Sequence, residues 1–148
     1  MDFPEFFERD LNKLIEEISL FRSEEDIWKI KEGITNSAGN LTLHLIGNLN
    51  HFIGSGLGKT GYLRNRDNEF SLKNIPRQKL TEDILEVKKV IHHTLTHLSM
   101  EDLKKEFPSL KSEERITVKA RLINLLAHFN YHLGQINYLR RILNGNSK

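Results

Sequence analysis

The sequence predicts an all-α fold, an up-and-down-type four-helix bundle. Two observations carry this. Four stretches place apolar residues at three-to-four-residue spacing, the repeat of one helical face, and no strand-rich stretch or internal repeat lies between them. The chain of 148 residues is expected to form one domain over residues 1–148, long enough to bury a real core.

The first helix is expected to start at Asp2 as N-cap, with Pro4 in the first turn, where a missing N–H costs nothing. Phe3, Phe7, Leu11, Leu14, Ile18 and Phe21 form its stripe, which ends near Arg22. Residues 23–33 read as a connection whose Trp28 folds over the core. Ser37 is the N-cap of a second helix running to about Ile53. Its main stripe is Leu41, Leu45, Leu49 and Phe52, broadened by Leu43, Ile46 and Ile53, so this helix is expected to lie deep in the bundle. His44, Asn48 and His51 form a polar stripe on the same helix, and polar groups that are buried need partners.

A long loop comes after the second helix, residues 54–79, with Gly54, Gly56, Gly58 and Gly61 in quick succession. Loops of this length in compact domains are functional or carry short elements of their own. Residues 64–70 (Arg-Asn-Arg-Asp-Asn-Glu-Phe) make a dense patch of both charge signs, either a solvated loop held by local ion pairs or a wall beside a site. The glycines make no dinucleotide fingerprint, because no strand precedes them.

Thr81 is expected to cap the third helix, with Glu82 and Asp83 in its first turn. Its stripe is Ile84, Val87, Ile91, Leu95 and Leu98; His93 and His97 fall nearly opposite, as on a solvent face or a dimer contact. Residues 101–116 are a polar connection containing Pro108, with a short hairpin near Phe107 and Ile116. Thr117 caps the last and longest helix, which runs to about Leu143 and stops at Gly145, with Arg140 and Arg141 facing the negative end of the dipole. Val118, Leu122, Leu125, Phe129, Leu133, Ile136 and Leu143 form its core stripe; His128, His132, Gln135 and Leu139 run along the flank.

Composition narrows the function classes. A net charge of +2 supplies no concentrated basic face, so no nucleic-acid partner is expected. The chain has no cysteine, which excludes disulfides, thiolate zinc sites and a cysteine nucleophile of its own, and suits a reducing cytoplasm. Residues 1–6 are acidic and lack the pattern of a signal peptide. No apolar run approaches the roughly 20 residues needed to span a bilayer, so no membrane partner is expected either. Seven histidines stand out and direct attention to metal or acid–base chemistry.

His128 and His132 stand four residues apart, so both imidazoles reach the same point beside the helix. Two histidines hold a divalent ion weakly, and a catalytic site normally adds a third protein ligand. His44, mid-length on a buried helix, is the leading third ligand; His51 is the rival, roughly 10 Å further along the axis. The pair His93 and His97 has the same spacing and competes for the role, and the plain alternative is that His128 and His132 are ordinary core-edge histidines hydrogen-bonded to their neighbours. Three imidazoles leave positions open for water or substrate, and would activate a thiol or water near neutral pH.

The runs Asn40-Leu41-Thr42-Leu43-His44-Leu45-Ile46-Gly47-Asn48 and His128-Phe129-Asn130-Tyr131-His132-Leu133-Gly134-Gln135-Ile136 resemble the DinB-like superfamily over nearly the whole chain. Residues 64–70 are similar to the segment after the second helix in a small branch of that superfamily. The resemblance implies a four-helix bundle, commonly a homodimer, with His44, His128 and His132 as ligands of a divalent metal, zinc or nickel foremost. Some relatives join a low-molecular-weight thiol such as bacillithiol or mycothiol to an electrophile, and others are metal-dependent hydrolases. The implied function is therefore a metal-dependent thiol S-transferase or hydrolase-like enzyme acting on a small-molecule substrate. Gln135 or Tyr131 would orient a ligand. Arg64 and Arg66, with Lys59, Lys73, Arg77 and Lys79, would attract the carboxylates of a thiol cosubstrate. The alternatives are a non-catalytic, stress-related metal-binding dimer, or a structural bundle with a decayed site.

Overall fold

The computed structural model describes residues 2–108 and 115–145. Its long helices are α1 (Phe3–Ser19), α2 (Ala38–Leu49), α4 (Arg77–Thr96) and α5 (Val118–Asn144), and a six-residue α3 (Arg66–Ser71) lies in the long connection. Short 3-10 turns cover Glu25–Trp28 and Asp102–Lys104. The apolar stripes converge on one core, with Phe7, Leu14, Ile18, Leu45, Ile84, Leu122, Phe129 and Ile136 sealed from solvent.

Ser37 and Thr117 cap their helices, accepting from the backbone N–H of Asn40 and of Ala120 at 3.1 Å each. Gly145, with a φ of 69°, stops α5 in the left-handed region that glycine adopts without strain. The expected hairpin forms: Phe107 N–H donates to Ile116 O at 2.8 Å and Val118 N–H to Lys105 O at 2.9 Å. Its turn lies outside the described residues. Trp28 is buried, and its indole N–H donates to Ile75 O at 3.2 Å.

Several boundaries differ from the expectation. Helix α1 ends at Ser19, whose hydroxyl donates to Glu16 O at 2.7 Å, and Phe21 is buried from the loop beyond it. Thr81 is not an N-cap. Pro76 fixes the entry instead, and Arg77 ties the first turn to the end of α1 by donating to Ser19 O at 3.2 Å and Phe21 O at 2.7 Å. Thr81 thus falls inside α4, where its hydroxyl donates to Arg77 O at 3.0 Å. The second helix continues beyond α2 as an eight-residue π-helical segment, Asn50–Leu57. Its wider turn moves the stripe by one residue, so Ile53 is fully buried in place of Phe52.

The helix directions are not those of a simple up-and-down bundle. Helix α1 runs antiparallel to α4, as Arg77 meets Ser19 while Lys88 meets Glu8 and Asn12. Helix α2 and its π extension run parallel to α4, with Gly54 against Val90 and Gly58 against Thr94. They run antiparallel to α5, since His44 meets His128 while the Phe52 ring lies under the Arg121 guanidinium. The order is therefore up, down, down, up, and the long loop is the crossover that returns the chain so that α4 repeats the direction of α2.

The parallel pair α1 and α5 is held in register by asparagines that the apolar pattern does not reveal. Asn130 donates to the buried Asp10 carboxylate at 2.6 Å, and Asn137 donates to the buried Glu17 carboxylate at 2.8 Å, each across the same 120-residue separation. Asn144 closes the end, donating to Leu20 O at 2.8 Å and accepting from Arg22 N–H at 3.1 Å. These rungs recur every seven residues, the spacing of a coiled-coil seam, and a one-turn slip would part the buried Glu17 carboxylate from Asn137 and Arg140 and leave Asp10 with Arg9 of its own helix.

Candidate metal centre

Three imidazoles meet where α2 packs against α5. The Nε2 of His128 lies 3.1 Å from His44 Nε2 and 3.2 Å from His132 Nε2, and one ligand atom from each of the three falls within 4.8 Å of the others. The ring centroids are 4.6 to 5.1 Å apart, with the planes steeply inclined to one another. His44 is buried, and His128 and His132 are half-buried.

Each ring is positioned by its own helix. His44 sits nearly two turns inside the capped start of α2, among Leu41 and Leu45 of the core stripe. His128 and His132 occupy successive turns of α5 beside the buried Phe129 and Leu133. The outer nitrogens differ. His132 Nδ1 donates to Gln135 Oε1 at 2.7 Å, which directs its lone pair, on Nε2, to the common point. His44 Nδ1 lies 3.7 Å from the Glu69 carboxylate and 3.3 Å from the Arg64 guanidinium. His128 Nδ1 is buried and has no hydrogen-bond partner.

This donor set fits a divalent cation. A single N–H on His128 Nε2 can serve one neighbouring nitrogen but not both, so protons alone leave lone pairs facing one another. A cation at the common point satisfies all three together. Nitrogens held about 2.0–2.1 Å from a tetrahedral ion stand roughly 3.3 Å apart, close to the spacing of the two short pairs. Burial, then the neighbouring histidines and the charges of Arg64 and Arg66, push His128 down to about 4. Burial also lowers His132, opposed by its Gln135 hydrogen bond and aided by His44. Both rings are thereby neutral at pH 7, the form a metal ligand must have.

The wall behind His44 comes from the crossover loop. Glu69, on α3, is buried and binds Arg64 through both oxygens, with Arg64 Nε 2.8 Å from Oε1 and the terminal nitrogen 3.1 Å from Oε2. A six-residue helix does not hold itself in water. Asn40 fixes it, donating to Glu69 O at 3.0 Å and Leu72 O at 2.8 Å while accepting from the Ser37 hydroxyl at 2.7 Å. Gly47 lets the carboxylate approach, for a Cβ there would stand 2.5 Å from Glu69 Oε1. Phe70 adds a ring 5.1 Å from His44, and Arg66 lies over Phe70 at 5.9 Å. Residues 64–70 thus form a wall at the three histidines, built on a local ion pair.

Glu69, Asn40 and Gly47 are parts of the site that the sequence pattern does not single out. Their signal was present: a glycine inside an otherwise apolar helix, three residues from a histidine, marks a close approach. Of the other residues singled out, Tyr131 is exposed with its ring 5.2 Å from that of His132, and Gln135 holds the His132 ring through Nδ1. His51 stands outside the group of three, half-buried and edge-on to Phe52. His93 and His97 are exposed near the end of α4, their rings 4.6 Å apart, along a groove shared with Glu8, Lys88 and His92. Lys79 pairs with Asp83 and Arg77 binds the end of α1.

The family model described as "Protein of unknown function (DUF1572)" matches residues 6–148. The chain belongs to the DUF1572 family. No curated protein matches it. Among solved structures, the crystal structure of a DinB-like protein, YjoA, from Bacillus subtilis shares the fold with a TM-score of 0.72. Sequence identity is 17%, over 99% of this chain and 95% of that one. This DUF1572 chain therefore has the DinB-like fold, with a histidine group able to hold a metal ion at its centre. No helix among the described residues is long and apolar enough to cross a membrane.

Proposed function

We propose that this DUF1572 protein is a metal-dependent enzyme acting on small molecules, of the thiol S-transferase or hydrolase-like type, in which His44, His128 and His132 hold a zinc or nickel ion. The observation that carries the reading is the convergence of three imidazole nitrogens on one half-buried point. A divalent ion there supplies Lewis-acid chemistry that makes a thiol or a water nucleophilic at neutral pH.

The chain's own residues do the rest. Gln135 retains the proton on His132 Nδ1, so that Nε2 remains a donor. The Glu69 carboxylate, 3.7 Å from His44 Nδ1, favours a proton there electrostatically, against the Arg64 guanidinium at 3.3 Å, which can only donate. Core residues of α2 and α5 keep bulk water from one side of the site and leave the other open. Arg66 and the crossover loop offer positive charge to the carboxylates of a thiol cosubstrate, with Arg64 available only as far as Glu69 releases it. The reading includes a homodimer working in the cytoplasm, and light scattering on the purified chain tests the first part.

Elemental analysis of the untagged protein beside His128→Ala tests the centre. About one divalent ion per chain, lost in the variant, is expected from a three-ligand site. Zinc- or nickel-dependent consumption of a low-molecular-weight thiol in the presence of an alkylating electrophile, or of an ester in its absence, then tests the activity. Metal binding without either turnover would leave a non-catalytic metal protein. A chain that neither carries nor takes up zinc or nickel would refute both.

A further inference from the structure

A cavity of about 710 Å³ opens beside His132 and Gln135, between α5 and the loop that precedes α2. We propose that it seats the body of an uncharged, largely apolar small-molecule substrate whose reacting end faces the three histidines, a reading that rests on the metal-dependent function above. Four features point this way.

No aspartate, glutamate, lysine or arginine lines the cavity. The charged groups around the centre, Arg64, Glu69 and Arg66, stand on the His44 side instead. A charged ligand would find no counter-ion in the cavity; an apolar one loses nothing by leaving water. The shape also fits. Leu41 and Leu139 make a buried floor, and Tyr131 and Tyr138 stand two turns apart on α5 as half-open aromatic walls, 65% and 66% exposed. Apolar and aromatic lining with a few polar groups, within roughly 300–1,000 Å³, is the usual composition of a small-molecule pocket.

His132 of the histidine group itself lines the cavity. Gln135, which lines the cavity, also accepts from His132 Nδ1, so the cavity is continuous with the histidine group through one amide. Gly134 is the fourth feature. It lies inside a 27-residue helix, where glycine costs about 1 kcal/mol relative to alanine. Its backbone needs no glycine, and a Cβ there would meet nothing within 4 Å. Neither conformation nor packing accounts for it. Its effect is to leave empty the space that a side chain would take from the cavity.

N-phenyl-1-naphthylamine, a neutral dye that fluoresces in apolar surroundings, is a suitable probe. The wild-type chain is expected to bind it at one site. Gly134→Leu fills the cavity with a better helix former, and Ile142→Lys puts a charge on its exposed rim near the helix end, where the dipole favours a cation. Each should weaken the dye by at least about tenfold while Tm and metal content hold. His128→Ala should lose the metal and keep the dye, so failure of the metal centre and failure of the cavity are read separately. No dye binding by the wild type, or unchanged affinity in a folded Gly134→Leu variant, overturns the proposal. A dimer that excludes the dye and dissociates in Ile142→Lys overturns it too, and makes this face a contact between copies of the chain.

Discussion

Replacing Glu69 tests whether the crossover loop is part of the centre or only its neighbour. In the folded chain the carboxylate is 5% exposed, receives Arg64 at 2.8 and 3.1 Å and faces His44 Nδ1 at 3.7 Å. Glu69→Ala leaves a guanidinium whose side chain is 14% exposed without its counter-charge. Breaking a fully buried pair costs about 3–5 kcal/mol, and Arg64 can recover part of this by swinging into water, so about 2–3 kcal/mol is expected. At about 2–4 °C per kcal/mol for a chain of this size, the metal-free protein should melt roughly 5–10 °C lower. The effect on metal is separate. Removing the group that orients a ligating histidine weakens binding by about 10–100-fold. Zinc affinity measured by competition with a chromophoric chelator reads this directly. Glu69→Gln keeps the shape but also removes the counter-charge and one of the two acceptor oxygens, so it should lose part of the same stability and lose zinc affinity as well. Gly47→Ala approaches the same carboxylate from the opposite side, where the new methyl would stand 2.5 Å from Oε1, and should shift zinc affinity in the same direction. If Glu69→Gln and Gly47→Ala both bind zinc as tightly as the wild type, the wall has no part in the centre, and the reasoning from His44 outwards is wrong.

Asn137→Ala removes a 2.8 Å hydrogen bond to the buried Glu17 carboxylate, and should lower stability to urea by about 1–2 kcal/mol without altering metal content. Acid should act on the same rung. Burial pushes the Glu17 carboxyl up, but hydrogen bonds from Arg140 and Asn137 and the Arg140 charge outweigh it and hold it below its ordinary 4.5. The stability this contributes is present above pH 4.5 and is lost as the pH falls through the lower folded value. Urea midpoints from pH 6 to pH 3 should therefore fall less in Glu17→Gln than in the wild type; parallel curves would remove Glu17 from the acid response. Phe129→Ala empties a fully buried site in the core stripe of α5 and should cost about 3–5 kcal/mol by urea titration.

The bundle was legible in the sequence because helical burial is written as a period, and that period survives in Phe7, Leu14, Ile84, Leu122 and Phe129. Caps were equally legible where a hydroxyl precedes a stripe, at Ser37 and Thr117. Thr81 carried the same signal and misled, since Pro76 already fixed the entry one turn earlier. Helix direction was not legible. Each stripe states which face is buried and nothing about which end is up, and only a connection as long as the one after α2 hints that a neighbour repeats the direction. The π turn was hidden for a related reason: one extra residue per turn is a change of phase, which a count of apolar positions absorbs as scatter. At the centre, the spacing of His128 and His132 could be read within one helix. Their proximity to His44 depends on how α2 sits against α5, and the Glu69 wall on a contact across 22 residues and a crossover.

That dependence ties topology to chemistry. A bundle with α2 and α4 parallel must return the chain over its full length, and the return has to pass the outside of α2. Whatever the crossover carries is thereby placed along the helix that presents His44. Here it carries Arg64, Glu69 and Phe70, pinned by Asn40 at the foot of α2 and admitted by Gly47 two turns above. On the far side, α5 presents His128 and His132 inward, and Gly134, Tyr131 and Tyr138 outward, to an uncharged cavity. The histidine group therefore separates a charged wall from an apolar one. A site with one polar and one apolar approach suits the joining or parting of two unlike molecules, and the two sets of variants, at Glu69 and at Gly134, should act on it independently. If a Glu69→Gln/Gly134→Leu double variant shows zinc and dye affinities that are each the value of the corresponding single variant, the two walls are separate devices. Strong coupling between them would mean that the charged and apolar sides share one occupant.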